Sequence, residues 1–155
     1  MVIELSRQYR LINLLAQRER AIGDLYLLFA GMDQNNRAFW QSLSDDESQH
    51  ADLLMDLISD ISAGSLNLQS SKINIREIQN NIKYVKSLGL SVLNSGLSPD
   101  QAIKEAYNIE NSLLESQIFD QLGQLAPAMA EIFQVLNNST RRHTQRISNQ
   151  MNAVS

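Results

Sequence analysis

The chain of 155 residues reads as an all-α protein, a bundle of long helices, and three features carry that reading. Only two prolines and six glycines interrupt it, so few positions break a helix. Leu, Ile, Ala and Gln are frequent while aromatic residues make up 6%, a composition suited to long helices. Apolar residues recur at steps of three and four, the spacing that lines one face of a helix. With 43% hydrophobic residues, a chain of this length builds one substantial core, so residues 1–155 are expected to form a single domain.

The first helix is expected from about Leu5 to Ala30, with the seam Leu11, Leu15, Glu19, Ile22, Tyr26 and Phe29. Residues 31–35, opening on Gly31, make a turn. The second helix then runs from about Asn36 to Ser62, with the seam Trp40, Leu43, Glu47, His50, Leu54, Leu57 and Ile61. Ala63-Gly64-Ser65 ends it, and the connection from Gly64 to Leu97 carries a shorter helix near Ile75 to Leu93. Ile75, Ile78, Ile82, Val85 and Val92 share one side of that helix. Its length of about 28 Å, at 1.5 Å per residue, suffices to return the chain to the far end of a bundle. Ser98 as N-cap and Pro99 at the first helical position open the third long helix, which is expected to reach about Leu125. Ala126-Pro127 marks the next turn, and the fourth helix runs from about Ala128 to Met151. Its seam is Met129, Phe133, Leu136, Thr140, His143, Ile147 and Met151. Two tight antiparallel hairpins joined by a long connection define a four-helix bundle with a crossover between helices two and three, which then run parallel.

The absence of cysteine excludes disulfides, thiolate zinc sites, iron–sulfur clusters and four-cysteine iron centres. Redox iron, if present, is therefore held by oxygen and nitrogen. A net charge of −4 argues against nucleic acid as a partner. The N-terminus lacks the pattern of a signal peptide, and no stretch reaches the roughly 18 apolar residues of a membrane span. A cytoplasmic protein with no membrane partner is expected. The sequons at Asn137 and Asn138 fall in a predicted helix of an intracellular chain and carry no weight.

Polar residues interrupt every seam. Helix one has Glu19, helix two has Glu47 and His50, helix three has Glu110 between Ala106 and Leu113 or Leu114, and helix four has Thr140 and His143. A carboxylate or imidazole on a core stripe is costly unless something pairs with it. Relative to a turn at residue 33, Glu19 lies 14 residues before and Glu47 lies 14 after. Relative to a turn at residue 126, Glu110 lies 16 before and Thr140 lies 14 after. Turns at comparable heights would set all these groups on one layer about 21 Å from the hairpin ends. Eight Glu and two His in the chain give about 0.1 Glu-x-x-His pair by chance, so the motif alone is weak. The weight comes from both histidines falling on apolar seams. Metal ligation and a buried ion pair or proton-sharing pair both account for Glu47 with His50. Glu19 and Glu110 fit the same site or a partly exposed seam edge, and Tyr26 and Trp40 fit the core or a redox role beside the site. Arg141, Arg142 and Arg146 read as a solvated face near a helix C-terminus.

The order Glu19, then Glu47-x-x-His50, then Glu110, then His143 resembles the ligand pattern of the ferritin-like di-iron carboxylate proteins. The likeness is greatest to their rubrerythrin-like branch, without a rubredoxin domain. Glu19 followed seven residues later by Tyr26, the pair Phe39-Trp40, and Asp46-Glu47-Ser48-Gln49-His50-Ala51 are similar to that branch. The likeness spans about Leu11 to Ile147. It implies a ferritin-like bundle holding two irons, with Glu19 and His50 serving one, Glu110 and His143 the other, and Glu47 bridging. Asp46 resembles the acidic neighbour that accepts the second ring N–H of a metal-bound histidine, here His143.

Thr140 departs from the pattern, standing where the family has a second bridging Glu. Three carboxylates carry −3 against the +4 of two divalent ions, and no acid at 136, 144 or 147 replaces the missing one. The expectation is a weakened di-iron site, a single bound metal ion, or a site that has lost its metal. In functional terms the resemblance implies a non-haem iron oxidoreductase or iron-handling protein, reducing peroxide or O2 or acting as a ferroxidase. Without a thiolate-held iron of its own, a peroxidase of this kind needs an external electron donor. The alternative is a non-catalytic ferritin-like bundle with a degenerate metal site, acting as a structural or interaction protein. A homo-oligomer is compatible with either.

Overall fold

The computed structural model describes residues 2–61 and 73–154, without the side chains of residues 2–4, 113–116 and 154. Among the described residues there are six α-helices: α1 Val2–Met32, α2 Arg37–Asp60, α3 Ile75–Ser95, α4 Pro99–Glu110, α5 Leu113–Leu125 and α6 Ala130–Val154. Short 3-10 helices at Gln34–Asn36 and Pro127–Met129 join α1 to α2 and α5 to α6. None of the described helices is long and apolar enough to cross a membrane. The chain divides into two compact units, residues 2–61 with 74–97 and residues 98–154.

In the first unit α1 and α2 form an antiparallel hairpin. Arg20 pairs with Asp52 at 3.3 Å, Ser44 Oγ donates to the Gly23 carbonyl at 2.9 Å, and the Phe29 and Trp40 rings lie 5.0 Å apart. Residue numbers rise on one helix as they fall on the other. Every residue of the two expected seams is buried, from Leu11 to Phe29 on α1 and from Trp40 to Ile61 on α2. The turn falls slightly later than its glycine suggests, because Gly31 stays helical and Asp33 makes the corner. The buried Asp33 carboxylate accepts from Asn36 Nδ2 at 3.0 Å and from the Trp40 indole at 3.2 Å. One acid thus ties the corner to the aromatic core of the hairpin.

Helix α3 runs parallel to α1, since Arg18 meets Asn81 and, ten residues on, Leu28 lies against Gly89. Asn74 caps its start by accepting from the Arg76 N–H at 3.0 Å. Gly96 ends it at φ 73°, a conformation that favours glycine. Of its expected apolar face Ile78, Ile82 and Val85 are buried, while Ile75 and Val92 are half-buried. The turn expected at Ala63-Gly64-Ser65 lies outside the described residues.

The second unit opens with a complete capping box. Gln101 N–H donates to Ser98 Oγ at 3.2 Å, and Ser98 N–H donates to Gln101 Oε1 at 3.1 Å, with Pro99 at the first helical position. The third long helix was expected to run unbroken to Leu125. It is instead divided at Asn111 and Ser112 into α4 and α5. Ser112 N–H bonds to the Ile109 carbonyl at 3.4 Å, a tightened i to i−3 contact, and the Glu110 carbonyl accepts from Thr144 Oγ1 at 3.4 Å. Asn and Ser compete for backbone hydrogen bonds and favour such an interruption. The continuation of that seam at Leu113 or Leu114 lies outside the described side chains. After Pro127, α6 turns back so that Phe133 faces Gly123 of α5. Phe133, Leu136, Thr140, His143 and Ile147 are buried along its inner face.

Candidate metal centre

Glu19 on α1 and Glu47 with His50 on α2 converge in the first unit. The hairpin register brings them level, and two small residues let the backbones approach. Gly23 lies one turn beyond Glu19, where an added Cβ would sit 3.3 Å from the Glu47 Cβ, and Ser44 lies one turn before Glu47. The three side chains are buried, with relative exposures of 0%, 1% and 4%. His50 Nδ1 lies 3.4 Å from Glu47 Oε2 and 3.9 Å from Glu19 Oε2. Donors about 2.1 Å from one metal ion are about 3.4 Å apart in a tetrahedral site, and about 3.0 Å (cis) or 4.2 Å (trans) apart in an octahedral one. The observed spacing suits a shared ion, and this group could hold one.

Without metal the three groups polarise one another. Burial would raise the Glu19 pKa, but its interactions with the neighbouring Glu47 and His50 and the Arg18 charge outweigh it, holding it at about 2. Burial would lower the His50 pKa, but the two carboxylates outweigh it and raise it to about 10. The metal-free imidazole is therefore a cation beside Glu19 and Glu47.

In the second unit Glu110 on α4 and His143 on α6 are both buried, with His143 Nδ1 3.6 Å from Glu110 Oε1. Thr140, one turn before His143, is buried too, and its hydroxyl donates to the Leu136 carbonyl at 3.1 Å. Its proton is thus committed to its own helix. A cavity of about 290 Å³, lined by Asn111, Asn137, Thr140, Arg141 and Thr144 among others, borders Glu110. Arg141 and Arg142 are exposed and Arg146 is half-buried.

Tyr26 is fully buried, its ring 5.6 Å from that of Trp40 and 6.2 Å from that of Phe29, which places it in the aromatic core. Asp46 is half-buried on α2 beside Glu47.

Two residues of the site escape the sequence reading. Arg18 is fully buried, with Nη1 3.9 Å from Glu19 Oε1 and Nε donating to Asn81 Oδ1 at 2.6 Å. Its signal was present: Leu11, Leu15, Arg18, Ile22, Leu25 and Phe29 repeat at steps of 4, 3, 4, 3 and 4. That stripe shares four residues with the first and differs from it at Arg18, which meets Asn81 of α3, and at Leu25. Gly23 was legible only as an isolated glycine in a helical pattern, a hint of close backbone approach.

No family model, no curated protein and no solved structure matches the chain.

Proposed function

We propose that the chain is a rubrerythrin-like, ferritin-fold protein that binds iron through Glu19, Glu47, His50, Glu110 and His143 and serves redox or iron-handling chemistry. The observation that carries the reading is the buried Glu19, Glu47 and His50 group, whose donors are spaced as ligands of one ion. Iron held by imidazole and carboxylate supplies reactivity toward O2 or peroxide. In this reading the chain's own residues bind the metal and exclude bulk water, while an external donor supplies electrons. The bridging role of Glu47 rests on the family resemblance.

The test is metal analysis of protein purified without added metal and again after anaerobic Fe²⁺ addition. Retention of iron by the wild type and its loss in His50→Ala is the expected result. Failure of Fe²⁺ to bind, with the stability of His50→Ala equal to wild type, overturns the reading.

A second reading, a non-catalytic bundle with a degenerate site, is favoured by Thr140, whose hydroxyl is engaged by the Leu136 carbonyl. Thr140→Glu separates the two. Under the metal reading it raises iron stoichiometry, whereas unaltered binding removes Thr140 from the ligand layer.

A further inference from the structure

Arg18 and Glu19 are neighbours in sequence, and consecutive residues on a helix do not face each other. Their contact is therefore not a by-product of the helix. Arg18 is 0% exposed, and burying a guanidinium costs several kcal/mol unless charge and hydrogen bonds compensate. Asn81 of α3 accepts from Nε at 2.6 Å, a short charge-assisted bond that turns the side chain inward, and Nη1 then lies 3.9 Å from Glu19 Oε1. Asn81 is neutral, and the Glu19 carboxylate brings a negative charge beside the guanidinium. Unlike imidazole, guanidinium stays charged across the whole working pH range.

We propose that Arg18, positioned by Asn81, is a resident cation of the Glu19, Glu47 and His50 group and limits it to one weakly held divalent ion. The inference rests on the metal reading above. Two carboxylates offer −2, and Arg18 cancels one charge before any metal arrives. A single divalent ion then overcompensates what remains, and a second is repelled by both the first and the guanidinium. The same fixed charge keeps Glu19 ordered when the metal is absent. Helix α3 thus has a task beyond packing, since it supplies the residue that aims the cation.

The test is a Co²⁺ titration of the full chain, read by visible absorption and calorimetry, on wild type, Arg18→Met, Arg18→Lys, Asn81→Asp and Glu19→Gln. Arg18→Met removes the charge with little loss of apolar volume and is expected to tighten Co²⁺ binding at least tenfold while lowering the metal-free melting temperature. Arg18→Lys keeps the charge and stays within about threefold of wild type. Asn81→Asp is nearly isosteric and gives Arg18 a carboxylate of its own, so it also tightens binding. It decides the matter alone if Arg18→Met does not fold. Unaltered or weaker binding in both variants, while Glu19→Gln weakens it, overturns the role of Arg18 and leaves the metal reading standing. Absence of Co²⁺ binding throughout overturns both.

Discussion

Metal uptake by the Glu19, Glu47 and His50 group is expected to expel at least the His50 proton, and the affinity should climb with pH well beyond the range of an ordinary histidine. Burial opposes protonation of His50, but Glu19 and Glu47 raise its pKa to about 10. A ligand to metal must be the neutral imidazole, so the ion competes with a proton at every pH below that value. Each pH unit then changes the apparent affinity about tenfold, and from pH 6.5 to 8.5 the gain is about hundredfold, or about 2.7 kcal/mol. Glu19, held at about 2, is already ionised and releases nothing. The assay is calorimetric titration with Co²⁺ at pH 8 in buffers of different ionisation enthalpy, whose slope counts the protons released. At least about one proton per ion is expected. A histidine titrating at the ordinary value of about 6.5 would release only about 0.03 proton at pH 8, and its affinity curve would flatten above that value. Release below about 0.3 proton, or a flat affinity from pH 7 to 8.5, refutes a charged His50 beside Glu19 and Glu47.

The same shifts govern the metal-free protein. Because the His50 pKa is raised, its contribution is fully present below pH 6.5 and is lost as pH rises toward about 10, while that of Glu19 is present above pH 4.5 and lost as pH falls toward about 2. Urea unfolding without metal should therefore show maximal stability between about pH 4.5 and 6.5, with a loss of about 2 kcal/mol by pH 8.5. Asp33→Ala removes the acceptor shared by Asn36 and the Trp40 indole, and should cost about 1 to 3 kcal/mol by urea unfolding without altering metal affinity. Gly23→Ala sets about 1 kcal/mol of helix propensity against a Cβ placed 3.3 Å from the Glu47 Cβ. Its melting temperature should move little while Co²⁺ affinity falls, because the group that must give way is a ligand.

What the sequence makes legible is what local periodicity encodes. The α2 stripe from Trp40 to Ile61 is buried throughout because a single rule, the helical repeat, places all seven residues, polar ones included. The start of α4 was equally readable, since Ser98, Pro99 and Gln101 act within one turn. The break after Glu110 was not. Asn111 and Ser112 are unremarkable in a helical run, and the hydroxyl that takes up the Glu110 carbonyl comes from Thr144, 34 residues away. Arg18 was hidden for a related reason: a helix that buries two faces carries two stripes, and following one leaves the other unread. Its partner Asn81 lies beside the apolar face of α3, and no local pattern says which helix that face docks against.

Buried carboxylates alone do not argue for metal, because Arg18 and a protonated His50 can balance Glu19 and Glu47 without one. The spacing is more informative. A charge-assisted pair that exists for its own sake closes to about 2.7 to 2.9 Å, whereas here His50 stands 3.4 and 3.9 Å from its two carboxylates and Arg18 stands 3.9 Å from Glu19. The 2.6 Å contact between Arg18 and Asn81 holds the cation in place. An ion-pair network under no other demand would gain by collapsing on itself. Donors held apart at ligand spacing, with a fixed cation braced behind one of them, are better suited to receiving an ion than to replacing it.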